Sequence, residues 1–491
     1  MTFNSIEFAL FFPIVAVLYF TLPHRLRWIL LLAASCLFYM AFIPAYILIL
    51  AFTIMVDYIA GRGIEAASGR RRTCYLLCSL AANLGVLAVF KYANFASTNF
   101  AALARWLGWN YPLPILQVIL PIGLSFHTFQ AMSYTIEVYR KRCQAEWHLG
   151  VFALYVMFFP QLVAGPIERP QALLPQFREP HAFEYARVVS GLQLMSWGFV
   201  KKVVVADRLA IPVNAVFGHP RDFSPLSILL ATIAFAYQIY CDFSGYTDIA
   251  RGTAQVLGFR LSQNFNRPYG ARSIAEFWRR WHMSLSSWFR DYLYILLGGN
   301  RVSPGRWALN VLIVFCLSGL WHGANWTFLV WGALHASYLL LSRWTAAVRH
   351  RLVQAIGLER MPWLHHALQT AMTFGGVLIG WIVFRAASLS EAYYLMQQAL
   401  RGAAMLVVFP FNSGMARGVL ASTGLNKFGW GLAALSLITL EGIQWVHHRH
   451  DLRQWISGQP MALRWTCYYS LATVLVLCGI YGASPFIYFQ F

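Results

Sequence analysis

The chain has 491 residues, of which 59% are hydrophobic and only 11% are charged, and its mean hydropathy is +0.54. Soluble globular chains carry roughly 25% charged residues, so this composition excludes a soluble enzyme and points to a membrane protein. A net charge of +20 would raise the question of nucleic acid in a soluble protein, but here the basic residues gather in short connections between apolar runs, and no nucleic-acid partner is expected.

Apolar runs recur along the whole length. The first, residues 6–22, has no basic segment before Phe8 and ends in LPHRLR, so it reads as a span rather than a cleaved signal peptide. Runs follow at 28–40, 45–60, 74–95, 115–136, 149–163, 188–205, 226–238, 308–318, 328–341, 368–384, 430–446 and 466–481. Several fall short of the roughly 20 residues that cross a bilayer. About 11 transmembrane helices are therefore expected, with the short runs tilted, paired or re-entrant. Arg70–Arg72, Arg140–Arg142 and Lys201–Lys202 give the positive-inside pattern and place their connections in the cytoplasm. Asp57 and Glu441, in or beside spans, read as structural partners of arginines. The eight cysteines have no metal-like spacing and read as small hydrophobes, and no metal site is expected.

Between Gln238 and Trp344 the texture changes. Residues 251–306 hold nine arginines but only two acidic residues, Glu276 and Asp291, mixed with tryptophan, proline and glycine. Such a segment reads as short amphipathic or re-entrant helices against the cytoplasmic side of a helical bundle. It is where function is expected.

The stretch YQIYCDFSGYTDIARG, residues 237–252, sets Asp242, Ser244, Tyr246, Thr247 and Asp248 in apolar surroundings. Asp242 and Tyr246 are either part of a polar network that locks the bundle or a wall of a reaction cavity. In ARSIAEFWRRWHMSLSSWFRDYLYILLGGNR, residues 271–301, Ser273 and Glu276 form an S-x-x-E capping box. Trp278, Trp281, Leu285 and Trp288 recur at helical spacing as one apolar face, with His282 at its margin. Arg272, Arg279 and Arg280 are candidates for a phosphate-bearing donor such as coenzyme A, since guanidinium grips phosphate bidentately, or for phospholipid phosphates. In SGLWHGANWTF, residues 318–328, an imidazole sits between Gly319 and Gly323 within an apolar run. A polar group at membrane depth is hydrogen-bonded, wetted or used. His322, which can take a proton near neutral pH, is the candidate general base. His335 lies thirteen residues on, roughly 20 Å away if the segment is helical throughout, too far to share a reacting atom.

These motifs, with the opening FNSIEFALFFPIVAVLYF, the segment PIGLSFHTFQAMSYTIEVYR and the terminal SPFIYFQF, resemble the membrane-bound O-acyltransferase family. The resemblance is strongest to its bacterial branch, typified by the alginate O-acetyltransferase membrane subunit, and runs over nearly the whole chain. It implies an all-α multi-pass fold, one domain over residues 1–491, with a central funnel and a catalytic core at about 238–344. It carries over His322 as the catalytic histidine and His282 as the second polar residue of the centre.

The resemblance also implies acetyl-coenzyme A as a cytoplasmic donor and a separately encoded periplasmic acetyltransferase as partner, in a bacterial inner membrane. His322 would deprotonate an acceptor hydroxyl. Asn325 or Ser286 would support the tetrahedral intermediate, and Trp278 with the arginines would hold the donor. Alginate is the first choice of final acceptor, with cellulose and peptidoglycan open. A transporter with broken helices and a non-catalytic scaffold are the readings of another class.

Overall fold

The computed structural model describes residues 1–109, 121–163, 165–406, 418–420, 422–449, 452–481 and 486–487. Every regular element among them is a helix. The terminal SPFIYFQF motif lies outside the described residues except for Phe486 and Ile487, as do the first six residues of the run at 115–136.

Local chemistry sets where the helices begin. Ser5 caps Ile6–Thr21, its Oγ accepting from Phe8 N at 3.3 Å. Pro304 and Pro362 open the helices Pro304–His322 and Pro362–Arg385, where the missing N–H has no intrahelical partner to lose. Ser388 caps Leu389–Met405 by accepting from Glu391 N.

Seven helical segments have the length and composition to cross a membrane: Pro44–Ala66, Gly69–Trp106, Tyr185–Gly218, Pro225–Leu257, Pro304–His322, Pro362–Arg385 and Met461–Cys478. The expectation of about 11 is thus too high for the described residues. Two causes account for the difference. Some apolar runs form helices too short to cross, such as Ile6–Thr21 and Leu149–Met157. Others, Trp326–Trp344 and Lys427–Arg449, have the length but too polar a composition.

The chain divides into two compact units, one of residues Met1–Gly198 with Tyr246–Ser262, the other of Phe199–Gly245 with Gln263–Phe491. In the first, Asp57 is fully buried and bonded to Ser79 Oγ at 2.6 Å and to Asn83 Nδ2 at 2.9 Å. Its partners are thus neutral donors on the neighbouring helix rather than the arginine expected. Glu168 accepts from both the backbone and the hydroxyl of Ser262, and Gln176 bridges the backbone of Arg260, so the segment after Pro225–Leu257 is tied to residues 168–176. Arg72 donates to the carbonyls of Val138 and Tyr139, which joins two of the basic connections.

In the second unit Lys202 is not in a connection. It lies in the π-helical turn Val200–Ala206, within the segment Tyr185–Gly218, almost wholly buried between two carboxylates.

Replacing Asp57 with alanine strands two buried donors, and a loss of about 1–3 kcal/mol is expected, less for Asp57→Asn. Thermal unfolding of the detergent-solubilised protein checks it.

Candidate active site

Both candidate histidines belong to the second unit and sit on elements the sequence did not fully delineate. The apolar run around SGLWHGANWTF is two helices. Pro304–His322 ends at the histidine, Gly323 is extended, and Asn325 caps Trp326–Trp344 by accepting from Thr327 N at 3.2 Å. The helical path assumed for His335 is therefore broken, and its Nδ1 instead accepts from Trp278 Nε1 at 3.4 Å. Two glycines allow the two helices to meet. A Cβ on Gly319 would stand 2.1 Å from the Phe328 carbonyl oxygen, and one on Gly332 would stand 2.2 Å from that of Phe315. Only glycine permits backbones so close.

The WRRWHMSLSSW segment is also broken. Ser273 caps Ile274–Arg280, accepting from Glu276 N at 3.2 Å, and Glu276 reaches back to Arg272 N at 2.8 Å. The helix stops at Trp281. His282 then takes a left-handed conformation, φ 42° and ψ 54°, before a second helix, Met283–Phe289. The single apolar face expected across the segment is therefore carried by two short helices. Trp281, Leu285 and Trp288 are nonetheless buried.

A left-handed non-glycine residue carries a cost of order 1–3 kcal/mol and needs surroundings that impose it. Asn264 supplies them. Fully buried, it accepts from Met283 N through its carbonyl at 2.9 Å, and through Oδ1 from Ser284 N and Ser284 Oγ at 3.1 and 3.0 Å. Asn266 N donates to Arg280 O on the other side of the turn. Asn264 escaped the sequence reading. It lies in NFNRPYG, residues 264–270, just before the stretch 271–301 that was read for chemistry.

These turns bring the two imidazoles to 6.3 Å between ring centres, at an interplanar angle of 52°. Aromatic rings surround them. His322 meets Trp321 at 5.0 Å, Trp331 at 5.2 Å and Phe384 at 5.4 Å. His282 meets Phe243 at 4.7 Å, Trp321 at 5.8 Å and Phe265 at 6.4 Å. His322 is 4% exposed and His282 not at all. His282 therefore faces an aromatic interior. Burial lowers its pKa from 6.5 to about 3, which keeps the ring neutral at physiological pH.

The other candidates are distributed as follows. Ser286 Oγ donates to Trp281 O at 3.3 Å, and Asn325 Nδ2 to Ala387 O at 3.4 Å, so both brace the turns that carry the histidines. Asp242 is 2.8 Å from Lys202 Nζ and accepts from Ile487 N. Tyr246 belongs to the first unit, its hydroxyl donating to Asn4 Oδ1 at 3.1 Å. Of the arginines, Arg280 pairs with Glu276 at 2.6 Å, Arg272 lies 3.1 Å from His366 Nε2, and Arg279 is exposed in the last turn of its helix. Trp278 stacks edge-on to Trp331 and His335.

Fold and site together describe a multi-pass membrane protein in which two buried imidazoles lie 6.3 Å apart among aromatic rings. Comparison with known proteins supplies the family. Residues 140–388 match the membrane-bound O-acyltransferase family, MBOAT. Among similar proteins, the probable alginate O-acetylase AlgI of Pseudomonas aeruginosa is 39% identical over 401 residues, 81% of this chain and 74% of that one. The peptidoglycan O-acetyltransferase of Helicobacter pylori is 33% identical over 400 residues, 75% and 72% of the two chains. The teichoic acid D-alanyltransferase of Bacillus subtilis is 27% identical over 235 residues, 44% and 57%. The chain belongs to the membrane-bound O-acyltransferase family. It is an O-acyltransferase of the bacterial inner membrane.

The depressed pKa of His282 has a consequence for stability. Below pH 6.5 the unfolded chain binds a proton at this position and the folded chain does not, so stability falls as pH drops from 6.5 toward about 3. His282→Gln removes that contribution. Unfolding temperatures compared at about pH 7.5 and pH 4.5 should show a smaller acid loss in the variant than in the wild type.

Proposed function

We propose that the chain transfers an acetyl group from acetyl-coenzyme A, supplied on the cytoplasmic side, to a hydroxyl acceptor serving O-acetylation of a periplasmic exopolysaccharide. Alginate is the polymer, and a separately encoded periplasmic acetyltransferase is the partner that completes the transfer. One observation carries the reading: two buried imidazoles with ring centres 6.3 Å apart, walled by tryptophan and phenylalanine, where a membrane helix ends. The similarity to proteins named alginate O-acetylase supports the acyl group and the polymer.

His322 acts as general base. Its imidazole takes the proton of the acceptor hydroxyl as that oxygen attacks the thioester carbonyl, and returns a proton to the departing thiolate. His282, neutral and held in a fixed left-handed turn, orients the reacting groups or donates to the developing oxyanion. The aromatic walls exclude water, which strengthens each hydrogen bond to developing charge and keeps the thioester from hydrolysis. Asn325 and Ser286 contribute by bracing the two turns, and Asp242 by tying the stretch that carries Phe243 to Lys202 and Ile487.

Arg279, with its exposed guanidinium, is the best placed of the basic set to meet the donor's phosphates, and Arg280, Arg272 and Trp278 shape the surface beside it. Phospholipid phosphates compete for the same groups.

His322→Ala should lower acetyl transfer by ~10²-fold or more while the protein stays monodisperse. A purified variant that keeps more than about a tenth of normal turnover removes His322 from the chemistry. Arg279→Gln should raise the KM for acetyl-coenzyme A with little change in kcat, the pattern of lost uniform binding. Unchanged donor kinetics with weaker membrane stability would assign Arg279 to lipid instead.

The acceptor is tested in vesicles with labelled acetyl-coenzyme A on one face and alginate, cellulose oligomers or peptidoglycan fragments on the other, with and without the periplasmic partner. Label in alginate only when the partner is present is the expected result. Label in peptidoglycan would place the chain with its Helicobacter relative, and intact acetyl-coenzyme A crossing the vesicle would indicate a transporter.

A further inference from the structure

We infer that Phe486 and Ile487 form a wall of the reaction centre, and that Lys202 and Asp242 are positioning residues that hold this wall against Phe243 and thereby fix His282. The inference rests on the place given to His282 in the proposed reaction.

The anchor is a widened stretch of helix. Val200–Ala206 adopts the π form within Tyr185–Gly218. A π turn shifts the hydrogen-bond register from i+4 to i+5 and frees backbone groups for outside partners. Val203 O takes one, accepting from Ile480 N at 2.9 Å. Arg208, one turn further on, donates through Nη2 to Cys478 O at 2.6 Å. Cys478 and Ile480 are thus each fixed to the π segment.

A third tie is ionic. Lys202 Nζ lies 2.9 Å from Asp207 Oδ1 and 2.8 Å from Asp242 Oδ1, each side chain no more than 3% exposed. Asp242 Oδ2 accepts from Ile487 N at 2.8 Å. One carboxylate therefore holds the π segment with one oxygen and the Ile487 backbone with the other. Phe486, fully buried, stands 5.7 Å from Phe243. Phe243, next to Asp242 in sequence, stands edge-on 4.7 Å from His282. Its ring is the shared neighbour of the anchored segment and the imidazole.

Apolar packing alone would not hold such a segment at one register, because lipid tails solvate phenylalanine and isoleucine as well as protein does. A directional ion pair with a backbone hydrogen bond does specify register, the role for which buried charges are best attested.

The test uses the full chain in lipid nanodiscs. Phe486→Ala removes the ring and keeps every tie. Ile487→Pro removes the N–H given to Asp242, together with the isoleucine side chain. Asp242→Ala leaves Lys202 paired with Asp207. Two readouts are taken: the rate at which diethylpyrocarbonate modifies His282, followed by peptide mass spectrometry, and the kinetics of acetyl transfer. All three variants should expose His282 to the reagent several-fold faster. They should also lose ~10- to 100-fold in kcat, as displaced reacting groups do, with a donor KM within about threefold of normal. Phe486→Leu should restore most of both. Wild-type protection of His282 in Phe486→Ala and Ile487→Pro overturns the inference. Faster modification with undiminished turnover leaves the wall standing and removes His282 from the chemistry.

Discussion

Backbone against backbone is the contact on which the centre depends. Pro304–His322 and Trp326–Trp344 cross where Gly319 faces the Phe328 carbonyl and Gly332 faces that of Phe315, at distances no side chain would allow. A wider crossing would draw Trp331 away from His322, since the two rings ride on opposite helices. Removing a buried partner ring costs about 0.5–1.5 kcal/mol in aromatic contact alone, and the gap would admit water. Gly319 and Gly332 are therefore the reason His322 can be buried beside Trp331.

The second imidazole is placed by a different device. His282 is forced into a conformation that L-residues avoid, and the forcing group is a single asparagine spending its carbonyl and amide oxygens on the turn. Strain of this kind persists only where the surroundings over-determine it. Here it has a geometric result. An unbroken helix would have carried Trp278, Trp281 and His282 around one axis, whereas the break turns the imidazole toward Trp321 and His322.

What the sequence disclosed follows from range. The Ser273–Glu276 cap and the two histidines are local signals, and each could be read within a few residues. His322 stood out because an imidazole in hydrocarbon needs a reason. The span number was misjudged because hydropathy measures transfer from water and says nothing of where a run bends, so two antiparallel helices and a short buried one look alike. Asn264 was invisible because its importance lies in a turn about twenty residues away. Lys202 misled in the opposite way: a Lys–Lys pair between apolar runs reads as a cytoplasmic connection, and only Asp207 and Asp242, five and forty positions on, show that it is buried.

That last case carries a general point about charge in this chain. Of its basic residues, Arg72 and Arg140, near the ends of their helices, meet nearby carbonyls and a carboxylate. Lys202 has two carboxylates within 3 Å and no access to solvent, so it sets register. Ion pairs buried in this way add little to stability against an apolar alternative of the same shape, but breaking one leaves an uncompensated charge and is strongly resisted. Their value lies in that resistance. The rings around the two imidazoles pack without a fixed direction, because a ring slides on its neighbours at small cost. Directionality has to come from outside the box, and it is supplied here by Asn264 on one side of His282 and by Asp242 beside Phe243 on the other.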